Sequence, residues 1–226
     1  MPLRRVMGDM ILLPDGSVLI INGAASGSAG WEQGRNPVLS PVIYRPNNPI
    51  GSRFEVQNPT TIPRMYHSTA GLVRDGRVLV AGSNPHVYYK FTGVLFPTEL
   101  RLEAFSPDYL NAQFDNIRPT IVAPVNQVIL YYSQNQNVRF SCTGAVIQNQ
   151  VEVVLVAPPF VTHSFSQNQR LLVLGNNKMT VLSNNLYNVE ATMPPSRILA
   201  PSGFYLMYVI HQGIPSQGIW INLKQR

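Results

Sequence analysis

The chain has 226 residues, 45% of them hydrophobic, with 16 Gly and 19 Pro, a composition that describes an ordered, turn-rich protein long enough for two modest domains. Charged residues make up only 12%, about half the usual share of roughly a quarter. The net charge of +6 is scattered over single Lys and Arg residues, Arg4-Arg5 being the densest pair, so no basic face for nucleic acid is present. No run approaches the ~18–20 apolar residues of a membrane span.

The first half repeats itself. Asp15-Gly16-Ser17-Val18-Leu19-Ile20 returns 60 residues later as Asp75-Gly76-Arg77-Val78-Leu79-Val80. Apolar runs, Met10 to Leu13 and Ala70 to Val73, precede each Asp-Gly, which predicts two β-hairpins with type I′ turns. Each unit runs on to a glycine, Gly23 or Gly82, where the strand ends or another backbone comes close. Val42-Ile43-Tyr44-Arg45-Pro46 matches Glu103-Ala104-Phe105-Ser106-Pro107 at a spacing of 61, each an aromatic-x-Pro strand exit. A repeat of about 60 residues with three or four strands reads as a β-propeller blade, somewhat longer than a kelch unit of ~50. Two blades cannot close a ring, which predicts that the chain is part of something longer.

Residues 107–118 read as a linker, with a helical turn near Asp108 to Ala112. From there the pattern becomes short strands at roughly ten-residue intervals. They are expected at Thr120–Ala123, Asn137–Cys142, Val151–Val156, Arg170–Gly175, Lys178–Leu182, Tyr187–Thr192, Gly203–Ile210 and Gly218–Leu223. Turns rich in Asn, Gln and Gly separate them, among them Gly175-Asn176-Asn177. About seven or eight strands over such a length suggest an immunoglobulin-like sandwich. The expected architecture is all-β: residues 1–106 as two kelch-like blades of a partial propeller, 107–118 as linker, and 119–226 as the sandwich.

Cys142 is the sole cysteine, so no internal disulfide can form, and its apolar strand marks it as a core residue. Met1 opens into Pro2-Leu3-Arg4-Arg5 without the apolar segment of a secretory signal. Three side chains stand out as metal donors: Tyr66 and His67 in Arg64-Met65-Tyr66-His67-Ser68-Thr69-Ala70, and His163 in Thr162-His163-Ser164-Phe165-Ser166-Gln167-Asn168-Gln169-Arg170. A phenol with two imidazoles suits Cu(II). On spacing alone, packing or surface roles are the commoner explanation. Adjacent residues of a regular strand also point to opposite faces, so Tyr66 and His67 can share a metal only where the strand is irregular. His86 reads as a turn residue and His211 as a solvated hairpin tip. Asp9, Trp31 and Glu32 either border a substrate opening or serve packing.

These motifs, together with Val6-Met7-Gly8-Asp9-Met10, Gly30-Trp31-Glu32 and Gly82-Ser83-Asn84-Pro85-His86, resemble the copper-radical oxidases of the glyoxal oxidase and galactose oxidase family, plant glyoxal oxidase-like aldehyde oxidases most of all. The resemblance runs essentially end to end and implies the last two blades of a seven-bladed propeller followed by an early-set sandwich. It implies one copper ion, with Tyr66 as axial ligand and catalytic base and His67 and His163 as equatorial ligands. Arg170 would orient the His163 loop from behind. The implied reaction oxidises a small aldehyde or primary alcohol with O2, giving H2O2. Extracellular or cell-wall residence, with wall polysaccharide as a neighbour, is implied too. The family's radical cofactor is a tyrosine cross-linked to a cysteine in earlier blades. Cys142 is not that cysteine, so the cofactor is not encoded in this chain, and no oxidase activity is expected of the isolated polypeptide. The alternative is a non-catalytic propeller-sandwich module that binds polysaccharide or protein.

Overall fold

The computed structural model describes residues 1–226 apart from 176 and 177. Regular structure is all β, with short 3-10 turns and, among the described residues, no α-helix. Two compact units each take non-contiguous pieces of chain. The first holds Met1–Leu72, Val78–Phe105 and Pro159–Gln169; the second holds Val73–Arg77, Ser106–Pro158 and Arg170–Arg226.

In the first unit, β1 (Asp9–Leu12), β2 (Val18–Ile21), β3 (Ala24–Ser26), β4 (Arg35–Pro37), β5 (Val42–Tyr44) and β6 (Phe54–Val56) come first. Strands β1, β2, β5 and β6 form an antiparallel sheet in that order, and β3 with β4 forms a separate ribbon. Next, β7 (Ser68–Leu72), β8 (Val78–Gly82) and β9 (Glu103–Phe105) make a three-stranded antiparallel sheet. The sequence repeat is visible in the register. Val18 lies between Leu12 and Tyr44, and Val78, 60 residues on, lies between Leu72 and Phe105.

The hairpins are where the Asp-Gly pairs place them, but their turns differ from the expected type I′. Leu13 N–H donates to Ser17 O and Val73 N–H to Arg77 O, both at 2.9 Å, so each loop has three residues. Within these loops only the glycine is left-handed, Gly16 at φ 82° and Gly76 at φ 89°. Each aspartate instead accepts the N–H two residues on, Ser17 or Arg77, at 3.0 Å. That side-chain turn replaces the positive φ a type I′ turn would demand of it. Gly23 and Gly82 do meet other backbone. A Cβ on Gly23 (φ 91°) would lie 2.6 Å from Val6 O, and one on Gly82 (φ 68°) 2.9 Å from His67 O.

The chain continues through β10 (Thr120–Ala123), β11 (Val128–Tyr131), β12 (Asn135–Ser141) and β13 (Val151–Val156) of the second unit. It gives the hairpin β14 (Phe160–Thr162) and β15 (Phe165–Gln167) to the first unit. It ends in β16 (Leu171–Val173), β17 (Gly175–Ser183), β18 (Leu186–Thr192), β19 (Gly203–His211), β20 (Ile214–Pro215) and β21 (Ile219–Lys224). One sheet runs β10-β12-β18-β17, the other β11-β21-β19-β13-β16, with β20 on β19.

Val138 and Phe140 of β12 and Val189 of β18 share one core with Val153 and Leu155 of β13 and Met207 and Val209 of β19, all fully buried. Burial of each such side chain stabilises by about 1.5–3 kcal/mol, which makes two facing sheets the natural home of these alternating strands. All eight strands expected after residue 119 are present to within three residues at either end. The turn expected at Gly175-Asn176-Asn177 falls on residues outside the described ones. Strand β11 was not expected. Its residues do not alternate, and its pairing with β21 is parallel, so no local turn signals it. The helical turn expected near Asp108 is present as the 3-10 turns Asp108–Leu110 and Ala112–Phe114.

His211 is a correction. It is wholly buried rather than a solvated tip. Its Nδ1 donates to Ile117 O at 2.9 Å, and Nε2 accepts from Ile147 N–H at 3.0 Å. Cys142 sits in the core as expected, and burial pushes its thiol up.

Candidate metal centre

Tyr66 and His67 occupy a turn immediately before β7, where Ser68 N–H donates to Met65 O at 3.1 Å. His67 has φ 61°, a left-handed value at the second central position of the turn. That break in strand geometry lets neighbouring side chains turn to the same side. The two rings stack with centroids 4.0 Å apart.

Buried bonds fix this turn from below. Arg64, 3% exposed, donates to Glu103 Oε2 through Nε (3.1 Å) and Nη2 (2.9 Å), and to Gly82 O through Nη1 at 2.9 Å. Met65 N–H donates to Ser83 Oγ, and the Met65 side chain packs with Met7 and Ala24, against which Tyr66 and Phe96 also lie. Asn84 N–H donates to Tyr66 O at 2.8 Å. The imidazole of His67 contacts Asn84 O through Nδ1 at 3.0 Å. A carbonyl only accepts, so Nδ1 carries the hydrogen, and in the neutral ring Nε2 keeps its lone pair for a metal.

His163 sits at the tip of the β14–β15 hairpin, in the same compact unit. Thr162 and Phe165 pair across a two-residue loop, with His163 at φ 52° and Ser164 at φ 67°. Positive φ at both positions is the type I′ pattern, here without the usual Asn-Gly. His163 Nδ1 and Thr162 Oγ1 share a hydrogen bond at 2.9 Å. The ring centroid of His163 lies 4.9 Å from that of His67 and 5.6 Å from that of Tyr66. Two residues adjacent in sequence and a third 96 positions later therefore form one cluster of a phenol and two imidazoles. The donor chemistry fits Cu(II), which favours nitrogen and oxygen ligands in tetragonal arrangement. Among the described residues no group of three or more His, Cys, Asp and Glu gathers into a metal site.

Residues 1–109 match the Glyoxal oxidase N-terminus family and residues 118–223 the Galactose oxidase-like, Early set domain family. Over 99% of its length the chain is 48% identical to Aldehyde oxidase GLOX of Vitis pseudoreticulata and 45% identical to Aldehyde oxidase GLOX1 of Arabidopsis thaliana. The chain belongs to the glyoxal oxidase and galactose oxidase family. It spans 42% and 36% of those two plant proteins. It is 26% identical to Galactose oxidase of Gibberella zeae, of which it spans 30%.

A cavity of about 330 Å³ opens beside His163 in this glyoxal oxidase-like chain, lined by Met7, Met10, Ile20, Phe165 and Arg5 among others. Arg5 donates to the carbonyl oxygens of Asn22 and Ser40, and burial lowers its guanidinium to about 10. Asp9 is fully buried. Its Oδ2 accepts from Asn22 Nδ2 at 2.8 Å, its Oδ1 has no partner among the described residues, and burial pushes the carboxyl up to about 6. Of the other residues set at the opening, Trp31 is exposed and Glu32 accepts from His86 Nδ1 at 2.6 Å, a bond that holds the Glu32 carboxyl below its ordinary range. His86 is a buried clasp rather than a simple turn residue, since its Nε2 also lies 2.8 Å from Phe96 O.

Arg170 belongs to the second unit. Its carbonyl accepts from Ala157 N–H, its guanidinium meets the Tyr205 hydroxyl, and Nη1 has no partner among the described residues. The hydrogen bonds that hold the His163 hairpin come from Ser166 and Gln169. Within the run Gln167-Asn168-Gln169-Arg170 these contacts are made by the Gln169 amide rather than by the charged Arg170. Asn84 was legible only as part of a motif, because its decisive atom is a main-chain carbonyl.

Proposed function

We propose that this chain is the copper-binding C-terminal part of a copper-radical oxidase that oxidises a small aldehyde or primary alcohol with O2 to give H2O2. In that assignment residues 1–106 are the last two blades of a galactose oxidase-like propeller, 107–118 a linker, and 119–226 the early-set sandwich. The observation that carries it is the clustering of Tyr66, His67 and His163, with ring centroids 4.0–5.6 Å apart. The register repeat between the two sheets, Val18 with Val78, supports the blade assignment. The aldehyde oxidase and galactose oxidase relatives support the reaction class.

His67 Nε2, His163 Nε2 and Tyr66 Oη would hold the ion. A bound copper ion would supply Lewis acidity toward the substrate oxygen and take one electron of the two-electron oxidation. Tyr66 Oη is placed to take the proton that the substrate hydroxyl releases. The backbone bond from Asn84 N–H to Tyr66 O keeps that phenol over the imidazoles. Arg170 anchors the segment leaving the hairpin through Ala157 and Tyr205. The second electron would need a Cys–Tyr radical, and Cys142, which lies in a hydrophobic core, would not supply its cysteine. The parent enzyme is secreted and acts outside the cell.

Calorimetric titration of the 226-residue chain with Cu(II), paired with a peroxide assay on methylglyoxal, tests the assignment. We expect one copper per chain, binding weakened in His67→Ala and in His163→Ala, and no peroxide. Undiminished binding in both variants refutes the site, and peroxide release refutes the incomplete-oxidase assignment.

A further inference from the structure

We propose that Gln169 is the positioning residue that sets where the His163 imidazole lies, by docking its carboxamide on the edge of β1 as a one-residue strand. The proposal rests on the copper-site assignment for its functional meaning. Among the described residues the hairpin β14–β15 pairs with no other strand, and an isolated two-stranded ribbon is marginal in water. Its aromatic residues do not anchor it, Phe160 being 61% and Phe165 71% exposed. Its tip carries two non-glycine residues at positive φ, His163 and Ser164, which tends to open the turn.

The side-chain amide of Gln169 supplies the missing anchor. Gln169 Oε1 accepts from Leu12 N–H at 2.9 Å, Gln169 Nε2 donates to Met10 O at 2.5 Å, and Ser166 Oγ donates to the same carbonyl at 3.2 Å. Leu12 N–H and Met10 O are the groups that β1 would offer to a further strand on that edge. A carboxamide presents one donor and one acceptor side by side, as a peptide unit does. Glutamate lacks the donor and lysine the acceptor. With β15 fixed against β1, β14 lies against β7, the strand that starts one residue after His67. One amide thus couples the far end of the hairpin to the ring positions at its tip.

Metal-free 226-residue chain, labelled for NMR, tests this with Gln169→Ala, Gln169→Glu and the neighbouring control Gln167→Ala. Wild type and Gln167→Ala should show Overhauser cross-peaks between the ring protons of His67 and His163. Both Gln169 variants should lose them, and exchange of the Leu12 amide should accelerate roughly three- to tenfold. Affinity for Cu(II) should then weaken roughly 10- to 100-fold. Cross-peaks and Leu12 exchange in Gln169→Ala equal to wild type would overturn the proposal. Loss of the cross-peaks in a chain whose wild type takes up no copper would uphold the positioning role and refute the copper site. Gln169→Glu keeps the side-chain length, so it reports should Gln169→Ala fail to fold.

Discussion

His67 donates its Nδ1 hydrogen to Asn84 O at 3.0 Å, and that bond decides which nitrogen of the ring is left for a metal. Asn84 is itself held. Its Oδ1 accepts from Thr98 Oγ1 at 2.9 Å, its Nδ2 donates to His86 O at 3.2 Å, and its N–H binds Tyr66 O at 2.8 Å. The imidazole is thus oriented from behind by a main-chain carbonyl, which a small polar network holds in place.

Removing the Thr98 hydroxyl loosens that network without touching either histidine. Thr98→Val should cost about 0.5–1.5 kcal/mol of stability and weaken Cu(II) binding roughly tenfold. Calorimetric titration beside a thermal melt measures both. Unchanged copper affinity would show that Asn84 holds its place unaided.

Gly82 lies close against the backbone of the pair. A Cβ there would sit 2.9 Å from His67 O, at a φ of 68° that side chains resist. Gly82→Ala should destabilise by about 1–3 kcal/mol and lower the melting temperature by about 2–4 °C for each of those kcal/mol. A melt within one degree of wild type would contradict the close approach.

Asp9 gives a pH dependence with a definite sign. Its folded carboxyl titrates at about 6, above the ordinary 3.8, so between those values the folded chain holds a proton that the unfolded chain has lost. Stability therefore falls as pH rises from about 4 to about 6, by the order of 1–3 kcal/mol. Asp9→Asn should flatten that slope and be the more stable protein at pH 7. Urea midpoints across this range measure it, and a slope of the opposite sign would refute the buried unpaired oxygen.

His211 lies within the core of the second unit, where it joins Ile117 O and Ile147 N–H. His211→Ala strands both backbone groups and should cost about 2–4 kcal/mol. Copper binding should stay as in wild type. A urea midpoint equal to wild type would mean that solvent reaches those groups.

Local patterns carried much of the fold. Alternation marked β12 and β18, and the Asp-Gly pairs marked both hairpins of the 60-residue repeat. What escaped was non-local. Strand β11 pairs in parallel with a strand more than ninety residues away, and His211 is buried by partners it meets only through the sheet. The three donor side chains were legible as residue types, and the irregular backbone needed at Tyr66-His67 is present as the left-handed His67. The type I′ turn was expected at Asp-Gly but occurs at His163-Ser164, where no glycine advertises it. Gln169 could not be singled out from sequence, because its value lies in the spacing of two main-chain groups on β1.

Pulsed electron paramagnetic resonance of the chain loaded with one equivalent of Cu(II) addresses the shared-ion claim most directly. The expected spectrum shows couplings to two imidazole nitrogens in wild type, to one in His163→Ala and to none in the His67→Ala, His163→Ala double variant. A spectrum that is the same in all three proteins would mean that the copper sits elsewhere and that these rings share no ion.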